Sequence, residues 1–133
     1  MGRVVLDASA LVEFLRWSPV GQAVADEIVG NRASAHIPHL AGVEVTSAFR
    51  SLVARGDMSP KRAASAVEDL ADLPVSRHPV EPLLTRIWDL RKNLTAYDAT
   101  YVALAEALDA PLLTADRRLV RASGNRAEIR LIA

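Results

Sequence analysis

The stretch Val4-Val5-Leu6-Asp7-Ala8-Ser9-Ala10, VVLDASA, sets an aspartate directly after an apolar, β-branched run. The run from Arg3 to Leu6 predicts a buried strand, and the patterned residues from Ala10 to Trp17 predict a short helix after it. Because an unpaired buried charge is costly, Asp7 must be exposed at the strand end, paired with another group, or bound to a metal. The other motifs of the sequence indicate which of these three states applies.

The strand-then-helix pattern of this stretch recurs along the chain. Further strands are predicted at residues 34–37, 110–114 and 128–132, and residues 73–80, which carry two prolines, are predicted to be a connector with extended character. Helices are predicted at residues 20–29, 39–54, 81–92 and 95–108, with one more opening at Ser59-Pro60. Short apolar strands that alternate with helices predict a three-layer α/β/α fold with a small, mainly parallel sheet.

Length, charge and composition narrow the class of protein. The 133 residues fit one domain, so we expect a single domain over residues 1–133. The formal net charge is zero, which gives no global attraction to nucleic acid or membranes, and cysteine is absent, which excludes disulfides and thiolate metal sites. No apolar run approaches the length of a membrane span and no signal-peptide pattern opens the chain, so a cytoplasmic protein is expected.

Four carboxylates lie where strands end or beside the apolar stripe of a helix. Asp7 and Asp116 follow predicted strands, so both should lie at the carboxyl edge of the sheet, where ligand sites of such folds collect, with a positive group expected between them. Glu44 and Asp98 fall in the first turns of their helices, roughly 85° and 75° from the centre of each apolar stripe. All four side chains can therefore converge at one edge.

Four carboxylates that converge at one edge could form a metal site, although each of them can also be explained as a helix cap. Carboxylate oxygens without His or Cys select Mg²⁺ or Mn²⁺, and such a site suits phosphodiester hydrolysis by a metal-activated water. Taken singly, each acid is explained as well by a helix cap, as in the Thr95-x-x-Asp98 start of the helix at residues 95–108. Because caps need no common edge, the joint occurrence of all four favours a shared site.

Four segments together resemble a known family. VVLDASALVEFL, IPHLAGVEVTSAFR, LTAYDATYVALAEAL and PLLTADRRL are similar to the segments that define PIN-domain ribonucleases, in particular the VapC-type toxins of prokaryotic toxin–antitoxin pairs. The resemblance spans about Val4 to Leu119. In that family the acids that match Asp7, Glu44, Asp98 and Asp116 form the metal site, and the hydroxyls that match Ser9 and Thr114 support it.

The resemblance implies a function and partners. It implies a Mg²⁺-dependent endoribonuclease, with Mn²⁺ as a plausible substitute, in the cytoplasm of a prokaryote. It also implies a homodimer that is inhibited by a cognate antitoxin whose C-terminal segment lies across the toxin. The sequence shows no departure from the family pattern at the four acidic positions.

Other residues support weaker predictions. Arg117 and Arg118 directly follow Asp116 and are candidates for contacts with RNA phosphates. Trp17, beside Ser18-Pro19, is predicted to be exposed and to help form a partner groove. His36, His39 and His78 are predicted to be structural or exposed, and Tyr97 and Tyr101 share a stripe that predicts a core or interface position.

A different class of function stays open at this point. A non-catalytic α/β interaction module, with the acids acting as helix caps, is also compatible with the sequence. Metal-dependent cleavage of RNA distinguishes the two alternatives.

Overall fold

A computed structural model of the protein describes residues 2–122 and 124–133. These residues form one sheet of five short strands, and every pair of neighbours in it is parallel. The strands are β1 (Arg3–Leu6), β2 (Ser34–Pro38), β3 (Ser76–His78), β4 (Leu112–Thr114) and β5 (Ile129–Leu131).

Seven helices connect the strands within the described residues. They are α1 (Ala8–Arg16), α2 (Pro19–Gly30), α3 (Leu40–Ala54), α4 (Pro60–Asp72), α5 (Leu84–Asp89), α6 (Ala96–Leu108) and α7 (Arg117–Val120). A 3₁₀ turn, Glu81–Leu83, precedes α5. Serine caps explain two of the starts, since Ser18 and Ser59 each accept a backbone N–H at a helix that opens with proline.

The sheet order places a topological switch point at its centre. The order is β3-β2-β1-β4-β5, so the chain leaves β1 in one direction for β2 and β3 and then returns to the other side for β4 and β5. Right-handed crossovers put the helices of these two halves on opposite faces of a parallel sheet. Helices α1 to α4 pack on one another, while α6 packs on β1, β2 and β4, which completes the three predicted layers.

The core lies between these layers. Strands β1 and β4 contribute side chains that are almost fully buried, among them Val5, Leu112 and Leu113. Helix α6 is buried along residues 99–105, which makes it the central helix of its face. A parallel sheet covered on both faces needs apolar strands without alternation, and β1 and β4 have that composition.

Four features differ from the sequence-based prediction. Residues 76–78 of the predicted connector form the edge strand β3, and the helix predicted at 81–92 is a 3₁₀ turn followed by an α-helix that ends at Asp89. Helix α7 was not predicted from the sequence. Tyr97, placed on the inward stripe of its helix, is 59% exposed because it lies in the first turn of α6, before the buried part begins.

The corner between α1 and α2 is tight. Trp17 ends α1 in the left-handed conformation, with φ 55°, and its backbone N–H returns to the carbonyls of Glu13 and Phe14. Gly21, in the first turn of α2, packs so closely on α1 that an added Cβ would lie 2.0 Å from the Glu13 carbonyl oxygen. The glycine is therefore a steric requirement of this corner. No helix in the described part of the chain is long and apolar enough to cross a membrane.

Candidate metal centre

Asp7 is held in a network of hydrogen bonds at the end of β1. Its Oδ1 accepts from the Ser9 hydroxyl at 2.7 Å and from the Ala10 backbone N–H at 2.9 Å, so it caps α1. Its Oδ2 accepts from the Thr114 hydroxyl at 2.5 Å. The residue is only 5% exposed, and these three donors fix the direction in which its carboxylate points.

Two hydroxyls connect Asp7 with the end of β4. The backbone N–H of Asp116 donates to Thr114 Oγ1 at 3.0 Å, and the N–H of Ala115 donates to Ser9 Oγ at 2.9 Å. Neutral donors, and not the positive group that the sequence led us to expect, therefore fill the space between Asp7 and Asp116. Ser9 and Thr114 lie where the prediction put them, next to an acidic side chain.

The positive group lies on the outer side of Asp116. Arg118 donates through its guanidinium to both carboxylate oxygens of Asp116, at 3.2 and 2.9 Å, and through its backbone N–H at 2.9 Å. This contact lowers the pKa of Asp116 below its ordinary value. The Arg118 side chain is 87% exposed, and Arg117 is exposed and forms no ion pair among the described residues.

Glu44 and Asp98 complete the group without a basic partner. In the part of the chain that the structure describes, neither forms an ion pair. Burial raises the pKa of both carboxyls, and the charges of neighbouring acids raise it further: Asp116 acts on Asp98, and Asp98 and Asp7 act on Glu44. Burial also raises the pKa of Asp7, with a smaller contribution from Asp98. The four predicted acids are thus close enough to repel one another.

Two buried polar atoms beside these acids interact with each other's side chains but lack a hydrogen bond of good geometry. They are Glu44 Oε1 and the hydroxyl of Tyr101. Burial and the nearby Glu44 carboxylate raise the pKa of the Tyr101 hydroxyl far above its usual range, so it stays protonated. Buried polar groups are normally satisfied by protein or by ordered water, so this pair indicates a place for a bound water or a hydrated ion.

The donor set fits a hard divalent cation. Every candidate ligand is a carboxylate or hydroxyl oxygen, which is the chemistry that Mg²⁺ prefers. Among the described residues, no three His, Cys, Asp or Glu side chains are arranged to hold one ion directly. The site therefore fits an ion that keeps several water molecules and contacts few carboxylates itself, as Mg²⁺ does in proteins.

Helix capping explains only part of this arrangement. Asp7 caps α1 and Asp116 caps α7, as the simpler explanation of the sequence required. Glu44 caps nothing, because it lies beyond the first turn of α3, whose start has no side-chain cap at all. Helix capping therefore does not account for Glu44, whose carboxylate lies beside other acids and has one oxygen without a well-formed hydrogen bond.

The histidines lie away from this group. His36 Nδ1 is 2.9 Å from His78 Nε2, and His36 Nε2 is 2.8 Å from the Ser34 hydroxyl. The contact between the two histidines joins β2 to the edge strand β3. The prediction that these two histidines are structural is confirmed, while His39 is exposed.

Sequence reasoning missed two residues near the acids. Tyr101 was assigned to the core or an interface on its stripe, and only the structure brings its hydroxyl beside Glu44. Glu13 lines a cleft that opens from Ser9 and Glu44, and its Oε2 is buried without a partner. The helical spacing Ser9, Glu13, Arg16 on α1 was the available signal, because residues three and four apart share a helix face.

Comparisons with known proteins agree on one family. The model of the PIN domain matches residues 4–125. Ribonuclease VapC12 of Mycobacterium tuberculosis is 42% identical over 130 residues, which cover 98% of this chain and 99% of that protein. Ribonuclease VapC1 of the same species is 41% identical over 133 residues, which cover 99% of both.

A solved structure shares the fold. The structure of VapBC2 from Rickettsia felis was solved with a bound DNA fragment from the promoter of that pair. A chain of it superposes on this one with a TM-score of 0.69, covers 96% of this chain and 98% of its own length, and is 12% identical in sequence. At that identity the likeness concerns the fold alone. This likeness confirms the predicted α/β fold. In the described residues of this chain every pair of neighbouring strands is parallel.

Proposed function

Because this chain belongs to the PIN-domain family, we propose that it is a VapC-type endoribonuclease toxin that hydrolyses RNA phosphodiester bonds with the help of Mg²⁺. The proposal treats residues 1–133 as one nuclease domain acting in the cytoplasm. Mn²⁺ is a plausible substitute for Mg²⁺, since both are hard cations that carboxylates bind.

The observation that carries this proposal is the position of Glu44. It is a partly buried acid beside Asp7 and Asp98, with one orphaned oxygen and no cap to form. Perturbed carboxylates that gather at the switch point of a parallel sheet mark functional sites more often than structural ones.

Each residue has a proposed role. Asp7, Glu44, Asp98 and Asp116 would hold the ion, in part through its water molecules, and the bound ion would offset charge on the phosphate and activate water. Ser9 and Thr114 keep the Asp7 carboxylate oriented through their hydroxyl donors. Glu44 Oε1 and the Tyr101 hydroxyl orient the attacking water, the first as acceptor and the second as donor, since the tyrosine keeps its proton.

Cleavage of RNA with and without metal tests the proposal. Purified protein is incubated with total RNA in Mg²⁺, in Mn²⁺ and in excess chelator, beside the Asp98→Asn variant. We expect metal-dependent cleavage that the variant loses. Full cleavage by the variant would reject the proposed site, and no cleavage of any RNA in either metal would favour the non-catalytic module.

An apolar groove supports an antitoxin partner. The groove, about 460 Å³, is lined by Phe14 and Trp17 of α1, Ile28 and Val29 of α2, and the chain around Pro74. Trp17 is 54% exposed there, as predicted, and it holds the left-handed conformation that glycine adopts at less cost. An exposed indole beside an apolar groove suits capture of an amphipathic segment, and we propose that the cognate antitoxin supplies this segment.

A homodimer is proposed on a second apolar surface. Leu84 and Trp88 lie four residues apart on α5 and are 54% and 66% exposed. Exposed large apolar side chains on one helix face are typical of an interface. Light scattering on the purified chain gives the mass, and a monomer at micromolar concentration would reject this part of the proposal.

A further inference from the structure

A cleft runs from the acidic group along the seam between α1 and α3. It encloses about 520 Å³, within the range of small-ligand pockets. Ser9 and Glu44 line the end that adjoins the acids, and Arg16 and Arg55 line the other end. On α1 the step from Ser9 to Arg16 is seven residues, or roughly 10 Å, so the cleft changes from acidic to basic over a short distance.

The walls of the cleft suit a flat ring. Between its ends lie small or aliphatic side chains, among them Ala8, Val12 and Ala48. These apolar parts of the wall can pack against the faces of an unstacked base, while the polar side chains of the lining remain for its edge. A base that leaves its stack is the usual target of sequence-specific RNA recognition, which reads its Watson–Crick edge.

Glu13 supplies a polar group midway along the cleft. Its Oε2 is buried and has no hydrogen-bond partner in the described chain, although Arg16 lies on the same helix face three residues later. Rotation about the terminal torsion of a glutamate is soft, so either oxygen can turn toward a ligand. A carboxylate accepts and cannot donate, so the missing partner is a hydrogen-bond donor.

The two arginines are available to a phosphate. Arg16 forms no ion pair among the described residues, and Arg55 pairs only with Asp57, at 3.2 Å on the open surface. An exposed pair of this kind contributes little and exchanges readily. Arginine is the side chain best suited to a phosphate oxygen pair.

We propose that this cleft is a nucleotide subsite that receives an unpaired guanine next to the scissile phosphate, with Glu13 reading its base and Arg16 and Arg55 holding its phosphate. Guanine is the base whose Watson–Crick edge presents two adjacent donors, N1–H and the N2 amino group, to a carboxylate. Cytosine and adenine present one amino donor there, and uracil presents one N–H between two carbonyls. The inference rests on the proposed nuclease function and names the substrate feature that the site selects.

Cleavage of a random-sequence pool tests the base contact. A single-stranded RNA pool is cut in Mg²⁺ by the unaltered protein, by Glu13→Gln and by Glu68→Gln, an exposed control on α4, and the ends are sequenced. We expect guanine to be enriched at one position beside the cut, and Glu13→Gln to shift that preference toward adenine or cytosine, because an amide offers one acceptor and one donor. The control keeps the guanine preference.

Binding without cleavage tests the same contact independently. In an Asp98→Asn background, fluorescence anisotropy compares an oligonucleotide that carries the selected guanine with one that carries inosine, which lacks the N2 amino group. We expect the inosine oligonucleotide to bind the Glu13 protein about tenfold more weakly than the guanine oligonucleotide does. The Glu13→Gln protein should bind the two oligonucleotides equally. Equal binding of the two oligonucleotides to the Glu13 protein would overturn the base contact.

The arginines require a separate variant set. Arg16→Ala and Arg55→Ala should weaken RNA binding to the same extent for all sequences and each reduce the slope of affinity against salt by about one. Arg50→Ala, on α3 but outside the cleft, should change neither. An unchanged slope in both cleft variants overturns the phosphate contact.

The outcomes separate the subsite from the nuclease itself. No cleavage of the pool by the unaltered protein contradicts the proposed function. Cleavage with a guanine preference that Glu13→Gln retains, or with no preference at all, leaves the nuclease in place and overturns the subsite.

Discussion

At the scale of single residues, the four acids divide into two anchored and two free members. Asp7 and Asp116 cap helices and accept several hydrogen bonds. Glu44 and Asp98 cap no helix through their carboxylates, and they lie beside like charges. Stability and activity therefore depend on different members of one site, as is common where function requires local strain.

The Asp98→Asn variant tests this division. Removing one of several repelling charges should leave the melting temperature in chelator unchanged or raised, while RNA cleavage falls by a factor on the order of 10² or more. Asp7→Ala is the matched variant at an anchored position. It should lower the free energy of unfolding by about 1 kcal/mol, because the side chain that caps α1 is lost. Thermal denaturation in chelator measures both, and equal destabilisation by the two variants would contradict the division.

Arg118 gives the second prediction at this scale. Replacing Arg118 by Ala removes a positive charge from Asp116, so we expect Mn²⁺ to bind several-fold more tightly to the RNA-free protein, as measured by calorimetry. RNA should bind more weakly, because a candidate phosphate contact is lost. Arg117→Ala is the matched control and should leave Mn²⁺ affinity unchanged. A weaker Mn²⁺ affinity in Arg118→Ala would contradict the first expectation.

Some positions of the acidic site could be predicted from the sequence, and some of its contacts could not. Asp7 and Asp116 were predictable because each follows an apolar strand, and strand ends share an edge. The contact between Arg118 and Asp116 was not, because spacing alone does not fix the rotamer of a long exposed side chain. The orphaned hydroxyl of Tyr101 was hidden for a similar reason, since an inward tyrosine looks the same in sequence whether or not its hydroxyl has a partner.

At the scale of elements, the corner between α1 and α2 depends on Gly21. Gly21→Ala would place a Cβ 2.0 Å from the Glu13 carbonyl oxygen, so the two helices must separate. We expect a loss of about 1–3 kcal/mol in unfolding free energy. Gly42→Ala, within α3 and with no heavy atom near an added Cβ, should be neutral or stabilising. Chemical denaturation measures both, and a neutral Gly21→Ala would show that the corner is less tight.

Trp17 ends the same corner and connects it with partner binding. Trp17→Gly should relieve the left-handed backbone conformation, so the melting temperature should change little despite the lost contact with Phe14. Binding of the proposed cognate antitoxin should weaken at least tenfold, since exposed tryptophans often anchor interfaces. Calorimetry with the purified antitoxin measures this, and unchanged affinity would reject the groove as its site.

Elements that were missed from the sequence are short or interrupted. Strand β3 has three residues at the sheet edge, in a segment with two prolines, so it lacked the length and alternation that indicate a strand. The helix predicted at 81–92 ends early because the backbone turns at Leu90, whose buried side chain continues the apolar pattern without continuing the helix. Helices α3 and α6 were predicted well because periodicity over many residues determines them, and β1 because its short apolar run is uninterrupted.

At the scale of the whole molecule, the stability should depend on pH through the buried His36. Burial, with smaller contributions from His78 and Arg3, lowers the pKa of His36 below its ordinary 6.5. The unfolded chain then binds more protons than the folded one, so this contribution is complete above pH 6.5 and is lost as the pH falls from there toward the lower folded pKa.

Melting temperatures between pH 5 and 8 test this dependence. The drop on acidification should be smaller in His36→Gln than in the unaltered protein, and the difference between the two isolates His36 from the acids of the metal site. Parallel curves would show that the protonation of His36 is not linked to unfolding. The measurement also reports on β3, which this pair joins to the sheet.

The whole fold was more predictable than its surfaces. Alternating strands and helices determine a layered parallel sheet, and the sheet brings its strand ends together whatever the loops contain. Surfaces such as the cleft beside Glu13 depend on how two helices pack, which no short motif encodes.

The free position of Glu44 and Asp98 has a consequence for inheritance. Under the proposed function, a cell gains from any mutation that inactivates this RNA-cleaving protein, and a substitution at either acid is expected to inactivate the site without unfolding the chain. The product is a folded, inert copy whose groove at Trp17 is intact. Such a copy would still bind the antitoxin and compete for it with active copies, so the mutation is not silent in a cell that keeps both.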